Sequence, residues 1–167
     1  VAVNQLGGNS LYLNWNDLQL GRKEPIKDTA LVLSRYINGL IARLFSHSDL
    51  ENIEKYSDIP VINGLTDLFH PCQILGDILT IIEHKGDIYN QKIVFVGDGN
   101  NVSNSLLIAS SILGLNTTLI CPKGYEPPLI VQDKIKTNTK KSKTKILITN
   151  DLEEIKDASV IYTDVWI

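Results

Sequence analysis

The chain has 167 residues and a formal net charge of -3, and 43% of its residues are hydrophobic while 21% are charged. This balance is typical of a folded globular protein, and it excludes both a disordered chain and a strongly basic surface for nucleic acid. No apolar run approaches the roughly 20 residues that cross a bilayer, and "VAVNQLGG" has no signal-peptide character, so we expect a cytoplasmic protein, or an organelle-matrix protein if the source is eukaryotic.

The first half of the chain predicts strands and helices in alternation. The predicted elements are strand 10–14, helix 26–37, strand 39–45, helix 48–57, strand 59–64 and helix 71–84. The second helix begins with a capping box, in which the side chains of Ser48 and Glu51 bond each other's backbone N–H. The third begins at Pro71, whose fixed φ suits the first helical position. Its predicted apolar face consists of Ile74, Leu75, Ile78, Ile81 and Ile82.

The pattern restarts after Gly86. The predicted elements are strand 91–97, helix 101–113, strand 116–121, strand 144–150, a short helix over 150–158 that Asn150 and Glu153 cap, and strand 159–167. Gly114 is a natural C′ residue for the first of these helices. The side chains that we expect this helix to turn toward the sheet are Val102, Leu106, Ala109 and Leu113. The charge run 133–145 favours a solvated surface helix or loop over an anion site.

Alternation of this kind is typical of an α/β fold with parallel sheets. We therefore predict two lobes, each with a parallel, Rossmann-like sheet flanked by helices. The first lobe is expected over 1–87, including the linking helix 71–84, and the second over 88–167.

Cysteine and histidine spacing argues against a disulfide framework or a metal site. Cys72 and Cys121 are far apart and lack a C-x-x-C partner, and the three histidines show no metal-ligand spacing. A reducing compartment fits this pattern. The chain contains no methionine and stops within an apolar segment, "TDVWI", so we expect an internal fragment of a longer protein.

A glycine-rich turn, "VGDGNNVSNS", joins a buried strand to a helix. Gly97 and Gly99 match a dinucleotide-binding G-x-G-x-x-G motif, but Val102 occupies the third position and the acidic residue expected about 20 residues later is absent. A nicotinamide cofactor is therefore disfavoured. The turn still predicts a polar site, made by Asp98, Asn100 and Asn101, because strand ends face the ligand crevice of an open parallel sheet. The alternative, that these residues only satisfy local backbone groups, stays open.

A second candidate site lies where the helix 71–84 begins. His70 and Gln73 are three residues apart, so both side chains lie near the first turn, where free N–H groups and the positive helix end favour an anion or a carbonyl oxygen. Arg43 ends a preceding strand and is expected at the same edge of the sheet. A guanidinium, an imidazole and an amide together suit an acyl phosphate whose acyl group carries an amine. The alternative is that His70 only caps the helix.

Four motifs of the chain are similar, in wording, order and spacing, to those of the ornithine carbamoyltransferases. They are "NGLTDLFHPCQILGDILTIIEH", "VFVGDGNNVSNSLLIAS", "CPKGYEP" and "IYTDVW". The resemblance extends from "QLGGNSLYLN" to the last residue. It implies about the middle half of such a protein, from the end of the carbamoyl-phosphate lobe to the first half of the ornithine lobe.

The resemblance also implies an activity. The family transfers the carbamoyl group of carbamoyl phosphate to the δ-amine of L-ornithine, which gives L-citrulline and phosphate. We therefore expect a transferase that uses no cofactor and serves arginine metabolism, in arginine biosynthesis or the urea cycle, with neither nucleic acid nor a membrane as partner.

Site residues follow from the resemblance position by position. The family's H-P-x-Q motif falls on His70 and Gln73, whose counterparts contact the carbamoyl oxygen and amine. Arg43 matches an arginine that holds phosphate and carbonyl oxygens. Asn101 and Asp164 match residues that bind the α-amino and carboxylate end of ornithine.

Gln19 matches a loop position that, in some members, reaches the carbamoyl-phosphate site of a neighbouring subunit. The resemblance thus implies a homotrimer with sites at subunit interfaces. Cys72 occupies the variable position of H-P-x-Q, and we expect it to be a small buried hydrophobe.

Other motifs of the family do not occur in full within these 167 residues. They are the S-T-R-T-R phosphate loop, the serine and methionine of D-x-W-x-S-M-G, and H-C-L-P. We therefore expect the chain by itself to be inactive. The alternatives are a carbamoyltransferase for acetylornithine, putrescine or aspartate, a non-catalytic paralogue, and a nucleotide-binding module.

Overall fold

The computed structural model describes residues 1–14 and 24–165. Its helices are α1 (Ala2–Gln5), α2 (Ile26–Leu33), α3 (His47–Tyr56), α4 (Pro71–Lys85), α5 (Asn101–Leu113) and α6 (Leu129–Ser142), with a 3₁₀ helix over Leu152–Ile155. Its strands are β1 (Leu40–Arg43), β2 (Val61–Leu65), β3 (Lys92–Val96), β4 (Asn116–Ile120), β5 (Ile146–Thr149) and β6 (Val160–Tyr162). The helix predicted over 101–113 is confirmed, and so is its C′ glycine, because Gly114 has φ 81°.

The described chain divides into two compact units. One comprises Val1–Leu40 and Glu51–Val61, and the other comprises Ile41–Leu50 and Ile62–Ile167. Helix α4 belongs to the second unit, together with the strands β3 to β6. All candidate site residues within the described ranges also fall in this second unit. The lobe boundary that we expect between residues 87 and 88 stays a prediction.

A two-stranded sheet pairs β1 with β2. The N–H of Leu40 donates to the carbonyl of Pro60 and the N–H of Leu44 to that of Leu65. The residue numbers rise on both strands from the first bond to the second, so the two strands run parallel.

The larger sheet has four parallel strands in the order β5-β4-β3-β6. The chain leaves β3 toward β4 on one side, whereas β6 lies on the other side of β3. The carboxyl ends of β3 and β6 therefore flank a topological switch point, where open parallel sheets bind their ligands. Parallel sheets flanked by helices are the predicted fold class, and this part of the prediction is confirmed.

The hydrophobic core lies between this sheet and helices α4, α5 and α6. Its fully buried members include Ile74, Ile93, Phe95, Leu106, Leu107, Leu119 and Val131. The observed burial differs from the apolar faces predicted for α4 and α5. In α4, Leu75 and Ile82 are exposed, and in α5 Leu113 is exposed, while the small polar residues Ser103 and Ser110 are buried. Hydroxyls that bond to nearby acceptors can enter a core, and a purely apolar pattern does not register them.

Three local predictions are wrong. Residues 10–14 form no strand. Helix α3 begins one residue earlier than expected, and its capping side chain is Ser46, whose Oγ accepts from the N–H of Asp49 at 3.2 Å. The short helix near the end is capped by Asp151 rather than Asn150. Neighbouring Ser, Asn and Asp residues are comparable caps, so composition does not choose between them.

The other predicted helices and strands agree in place with the structure, although most are shorter, whereas the sequence pattern predicts no helix over α1. The charge run belongs to α6, a surface helix with Val131 and Ile135 turned inward. None of the helices in the described part of the chain combines the length and the apolar character that a bilayer crossing needs.

Candidate functional site

His70 is the residue that begins α4. Pro71 takes the first helical position, and His70 is the N-cap with φ -134°. His70 thus occupies the cap position, as the alternative interpretation expects, but its side chain makes no capping hydrogen bond. Its Nδ1 is buried and has no hydrogen-bond partner among the described residues. A buried ring nitrogen without a partner is costly unless a ligand supplies one.

A tight turn, residues 66–69, precedes His70. The N–H of Thr66 donates to the carbonyl of Phe69 at 2.8 Å, and the N–H of Phe69 donates to Oγ1 of Thr66 at 3.2 Å. Thr66 is fully buried. These bonds close the turn immediately before His70.

Helix α5 holds this turn through three side chains on one of its faces. Nδ2 of Asn101 donates to the carbonyl of Thr66 at 2.7 Å, and Nδ2 of Asn104 donates to that of Leu68 at 3.2 Å. Oγ of Ser105 accepts from the N–H of His70 at 2.7 Å. Positions 101, 104 and 105 share a helix face because residues three and four apart are neighbours. The glycine-rich turn and the H-P-x-Q motif are thus parts of one structure.

Asn100 joins the ends of β3 and β6. Its Oδ1 accepts from the N–H groups of Val102 and Ser103, both at 3.0 Å, which caps α5. Its Nδ2 lies 3.4 Å from a carboxylate oxygen of Asp164 and 3.5 Å from one of Asp98. Oδ1 of Asn100 therefore satisfies local backbone groups, as the alternative interpretation expects. Its Nδ2 does not, because it faces the carboxylates of Asp164 and Asp98.

Gly99 is required by a close approach of two backbone segments. Its N–H donates to the carbonyl of Tyr125 at 2.7 Å. A Cβ at this position would lie 2.4 Å from the backbone nitrogen of Pro127. Only glycine lets the "CPKGYEP" loop pack this closely on the turn that presents Asn100.

Gln73 is tied to its own helix and to β6 through one carboxylate. Its Nε2 donates to Oδ1 of Asp77 at 2.9 Å, and the hydroxyl of Tyr162 donates to Oδ2 of Asp77 at 2.7 Å. Burial raises the pKa of the Tyr162 phenol far above its usual range, and the hydrogen bond and charge of Asp77 and the charge of Asp164 add to this, against a smaller lowering by Gln73. The phenol therefore remains a proton donor at any physiological pH.

Arg43 is the last residue of β1, and its side chain is exposed. The segment after β2 runs beside the end of β1, because the N–H of Asp67 donates to the carbonyl of Phe45 at 2.7 Å. Arg43 makes no hydrogen bond or ion pair with any described residue. Hydrogen bonds from α5 thus connect the turn at His70 with Asn101, and Asp164 lies beside Asn100. Among the described residues, no hydrogen bond links Arg43 to any of these four side chains. Gln19 lies outside the described residues.

The two cysteines differ in environment. Cys72 is exposed, and its Sγ lies 3.3 Å from the carbonyl of Asn63. The prediction that Cys72 is buried is therefore wrong, because its position on the first turn of α4 turns it away from the core. Cys121 is buried immediately after β4, and burial, with the charges of Glu126 and Asp98, raises the pKa of its thiol. Over residues 1–14 and 24–165, no three His, Cys, Asp or Glu side chains are grouped closely enough to hold a metal ion.

Ser105, Asp77 and Tyr162 are among the site residues that sequence reasoning missed. Asp77 lies four positions after Gln73, a spacing that places it beside Gln73 on the helix, so this neighbour was detectable. Ser105 and Tyr162 meet their partners 35 and 85 positions away. No local pattern contains that information.

Family models match almost all of the chain in two parts. The carbamoyl-P binding domain of aspartate/ornithine carbamoyltransferase matches residues 1–83, and the Asp/Orn binding domain matches residues 89–167.

Curated and solved proteins agree with these matches. An ornithine carbamoyltransferase of Methanosphaera stadtmanae is 52% identical and is matched over 100% of this chain and 56% of its own length. The solved ornithine carbamoyltransferase of Pyrococcus furiosus is 50% identical, with a TM-score of 0.94 over 99% of this chain and 53% of that one. The ornithine transcarbamoylase of Giardia lamblia retains a TM-score of 0.88 at 28% identity, over 99% of this chain and 56% of its own.

The chain spans about half the length of the curated relatives that it matches. Within that span, the family models, the sequence identity and the structural agreement all point to one family. The chain belongs to the aspartate/ornithine carbamoyltransferase family.

Proposed function

We propose that this chain is part of an enzyme that transfers the carbamoyl group of carbamoyl phosphate to the δ-amine of L-ornithine, giving L-citrulline and phosphate. The relatives named ornithine carbamoyltransferase support the reaction class. The observation that carries the proposal is the imidazole of His70, whose buried Nδ1 has no partner in the described chain, at the positive end of α4.

The carbamoyl-phosphate end of the site is proposed to consist of His70, Gln73 and Arg43. His70 would donate to the carbamoyl oxygen, and the exposed guanidinium of Arg43 would hold phosphate and carbonyl oxygens. The side-chain oxygen of Gln73 would accept from the carbamoyl amine. The N-terminus of α4 adds N–H groups without intrahelical partners, which favour a dianionic substrate.

The ornithine end is proposed to lie at the switch point between β3 and β6. Asp164 follows β6, and its carboxylate suits the α-ammonium group of an amino acid. Asn101 begins α5, where a substrate carboxylate benefits from the helix end. Two amino-acid-binding groups at such a switch point fit the general rule for open parallel sheets.

The mechanism follows from where charge develops. The neutral δ-amine attacks the carbamoyl carbon, a C–N bond forms, and negative charge grows on the carbamoyl oxygen. His70 and Arg43 stabilise this charge more strongly in the transition state than in the ground state. The C–O bond to phosphate then breaks, and the proton that the amine loses leaves with the phosphate.

Assembly and location are parts of the same proposal. We propose a homotrimer, in which Gln19 contributes to the carbamoyl-phosphate site of a neighbouring subunit, and a cytoplasmic enzyme of arginine metabolism, in arginine biosynthesis or the urea cycle. The proposed lobes are 1–87, with the linking helix 71–84, and 88–167. No cofactor takes part in the proposed reaction.

The test is an assay of citrulline formation by the complete protein that contains this chain. Acetylornithine, putrescine and aspartate serve as competing amines, and we expect L-ornithine to give the largest kcat/KM. A larger value for another amine would transfer the proposal to that substrate. The chain of 167 residues by itself is expected to form no citrulline.

A further inference from the structure

One carboxylate, Asp77, receives two hydrogen bonds that fix its surroundings. Its Oδ1 accepts from Nε2 of Gln73 at 2.9 Å, and its Oδ2 accepts from the Tyr162 hydroxyl at 2.7 Å. Asp77 and Tyr162 are half-buried, whereas Gln73 is exposed. Asp77 and Tyr162 therefore form a fixed support behind a side chain that faces the solvent.

This support determines which end of the Gln73 amide faces a ligand. An ionised carboxylate only accepts hydrogen bonds, so the group of Gln73 that faces Asp77 must be the –NH₂ end. The amide oxygen is then directed away from Asp77. An exposed amide oxygen can accept a hydrogen bond from an amine but cannot favour a methyl group in the same place.

Tyr162 restricts Asp77 in turn. The phenol remains protonated, since burial and the neighbouring carboxylates raise its pKa, and it therefore always requires an acceptor. Tyr162 ends β6, and Asp164 follows two positions later. The orientation of Gln73 is thus linked to the strand that carries the proposed ornithine ligand.

We propose that Asp77, held by Tyr162, is a positioning residue that turns the amide oxygen of Gln73 toward the carbamoyl amine, so that the site distinguishes carbamoyl phosphate from acyl phosphates that lack an amine. This inference rests on the proposed function. It goes beyond that function by assigning the choice between acyl phosphates to Asp77 and Tyr162, two residues that need not contact the substrate.

The test compares two acyl phosphates in the complete protein. Acetyl phosphate replaces the amine of carbamoyl phosphate by a methyl group, so the ratio of its inhibition constant to the KM of carbamoyl phosphate measures discrimination. In Asp77→Asn, the Tyr162 hydroxyl requires the new amide oxygen as acceptor, and the new –NH₂ group faces Gln73. Gln73 must then reverse and present its own –NH₂ to the carbamoyl amine.

We expect Asp77→Asn to lower this ratio about tenfold, the order expected for one lost hydrogen bond to substrate, through a higher KM for carbamoyl phosphate and an unchanged constant for acetyl phosphate. Asp133→Asn is the matched control, since Asp133 is exposed on α6 and pairs with Lys136. It should leave both constants unchanged.

The double variant Asp77→Asn with Tyr162→Phe separates positioning from simple structural damage. Without the phenol, the Asn amide is free to turn its oxygen toward Gln73, and we expect much of the discrimination to return. A structural role would make the double variant worse than the single one. Should Asp77→Asn not fold, Asp77→Ala removes the acceptor without adding a donor, and a smaller fall in the ratio is expected.

The outcomes are distinguishable. Citrulline formation by the wild type together with an unchanged ratio in Asp77→Asn overturns this inference and leaves the proposed function intact. Equal loss of affinity for both acyl phosphates also overturns it. A wild-type protein that forms no citrulline overturns the proposed function and the inference together.

Discussion

The backbone N–H of His70 donates a 2.7 Å hydrogen bond to the side-chain oxygen of Ser105. The same hydroxyl donates to the carbonyl of Asn101 at 2.7 Å. One buried serine therefore bridges the residue proposed to bind the carbamoyl oxygen and the residue proposed to bind ornithine. This bridge gives the two ends of the proposed site a fixed spacing, which a reaction between two bound substrates requires.

Ser105→Ala should weaken this bridge. The substitution leaves the half-buried N–H of His70 without its acceptor, which typically costs about 1–3 kcal/mol. We expect a lower Tm of the complete protein and a lower kcat for citrulline formation. Thr80→Ala is the control, because the exposed Thr80 hydroxyl bonds only to the carbonyl of Gly76 within α4. A Ser105→Ala variant with the Tm and kcat of the wild type would contradict the role assigned to the bridge.

His70→Ala should remove one donor to the developing oxyanion. Loss of one such donor typically costs about 3 kcal/mol, or about 10² to 10³ in turnover. We expect kcat to fall by this factor in steady-state assays of the complete protein. His84→Ala is the matched control on the same helix, since His84 is exposed in the last turn of α4. Unchanged kinetics of His70→Ala would exclude His70 from the reaction.

Asn101→Ala should act mainly on ornithine. We expect the KM for ornithine to rise far more than the KM for carbamoyl phosphate, since Asn101 is proposed to bind the amino-acid end of the substrate. Asn101 also anchors the turn at Thr66, so Asn104→Ala, which removes only the anchor at Leu68, is the control. It should lower the Tm but change both KM values alike. Equal changes in both KM values for Asn101→Ala would argue against its placement.

Gly99→Ala should destabilise the protein, and Gly76→Ala should stabilise it. A Cβ at Gly99 would meet the backbone of Glu126 and Pro127, which cannot move without shifting the loop, and such overpacking costs about 1–3 kcal/mol. A Cβ at Gly76, within α4, meets nothing within 4 Å, and alanine there gains about 0.4–1 kcal/mol. Differential scanning calorimetry should show Tm shifts of opposite sign. A neutral Gly99→Ala would contradict the close approach.

Local patterns predicted much of the fold. The helix over 101–113 was predictable because its apolar period and its C′ Gly114 lie within one segment. The parallel α/β class was predictable because alternation of strands and helices restricts the chain connections. The wrong predictions at Ser48, Asn150 and residues 10–14 concern choices between similar local signals, which the surrounding structure decides.

The sequence by itself determined the fold class, the family motifs and the identity of His70, Gln73, Asn101 and Asp164 as candidate ligands. The fold class needs only residue type, order and spacing, whereas the assignment of Asn101 and Asp164 to ornithine rests on the resemblance to the family. Tertiary structure alone decided two contacts behind these residues: the hydroxyl of Ser105 at the backbone N–H of His70, and the phenol of Tyr162 at Asp77, the neighbour of Gln73 on α4. The physical reason is that such bonds depend on which helix faces meet after packing, and two faces that are distant in sequence carry no local record of each other.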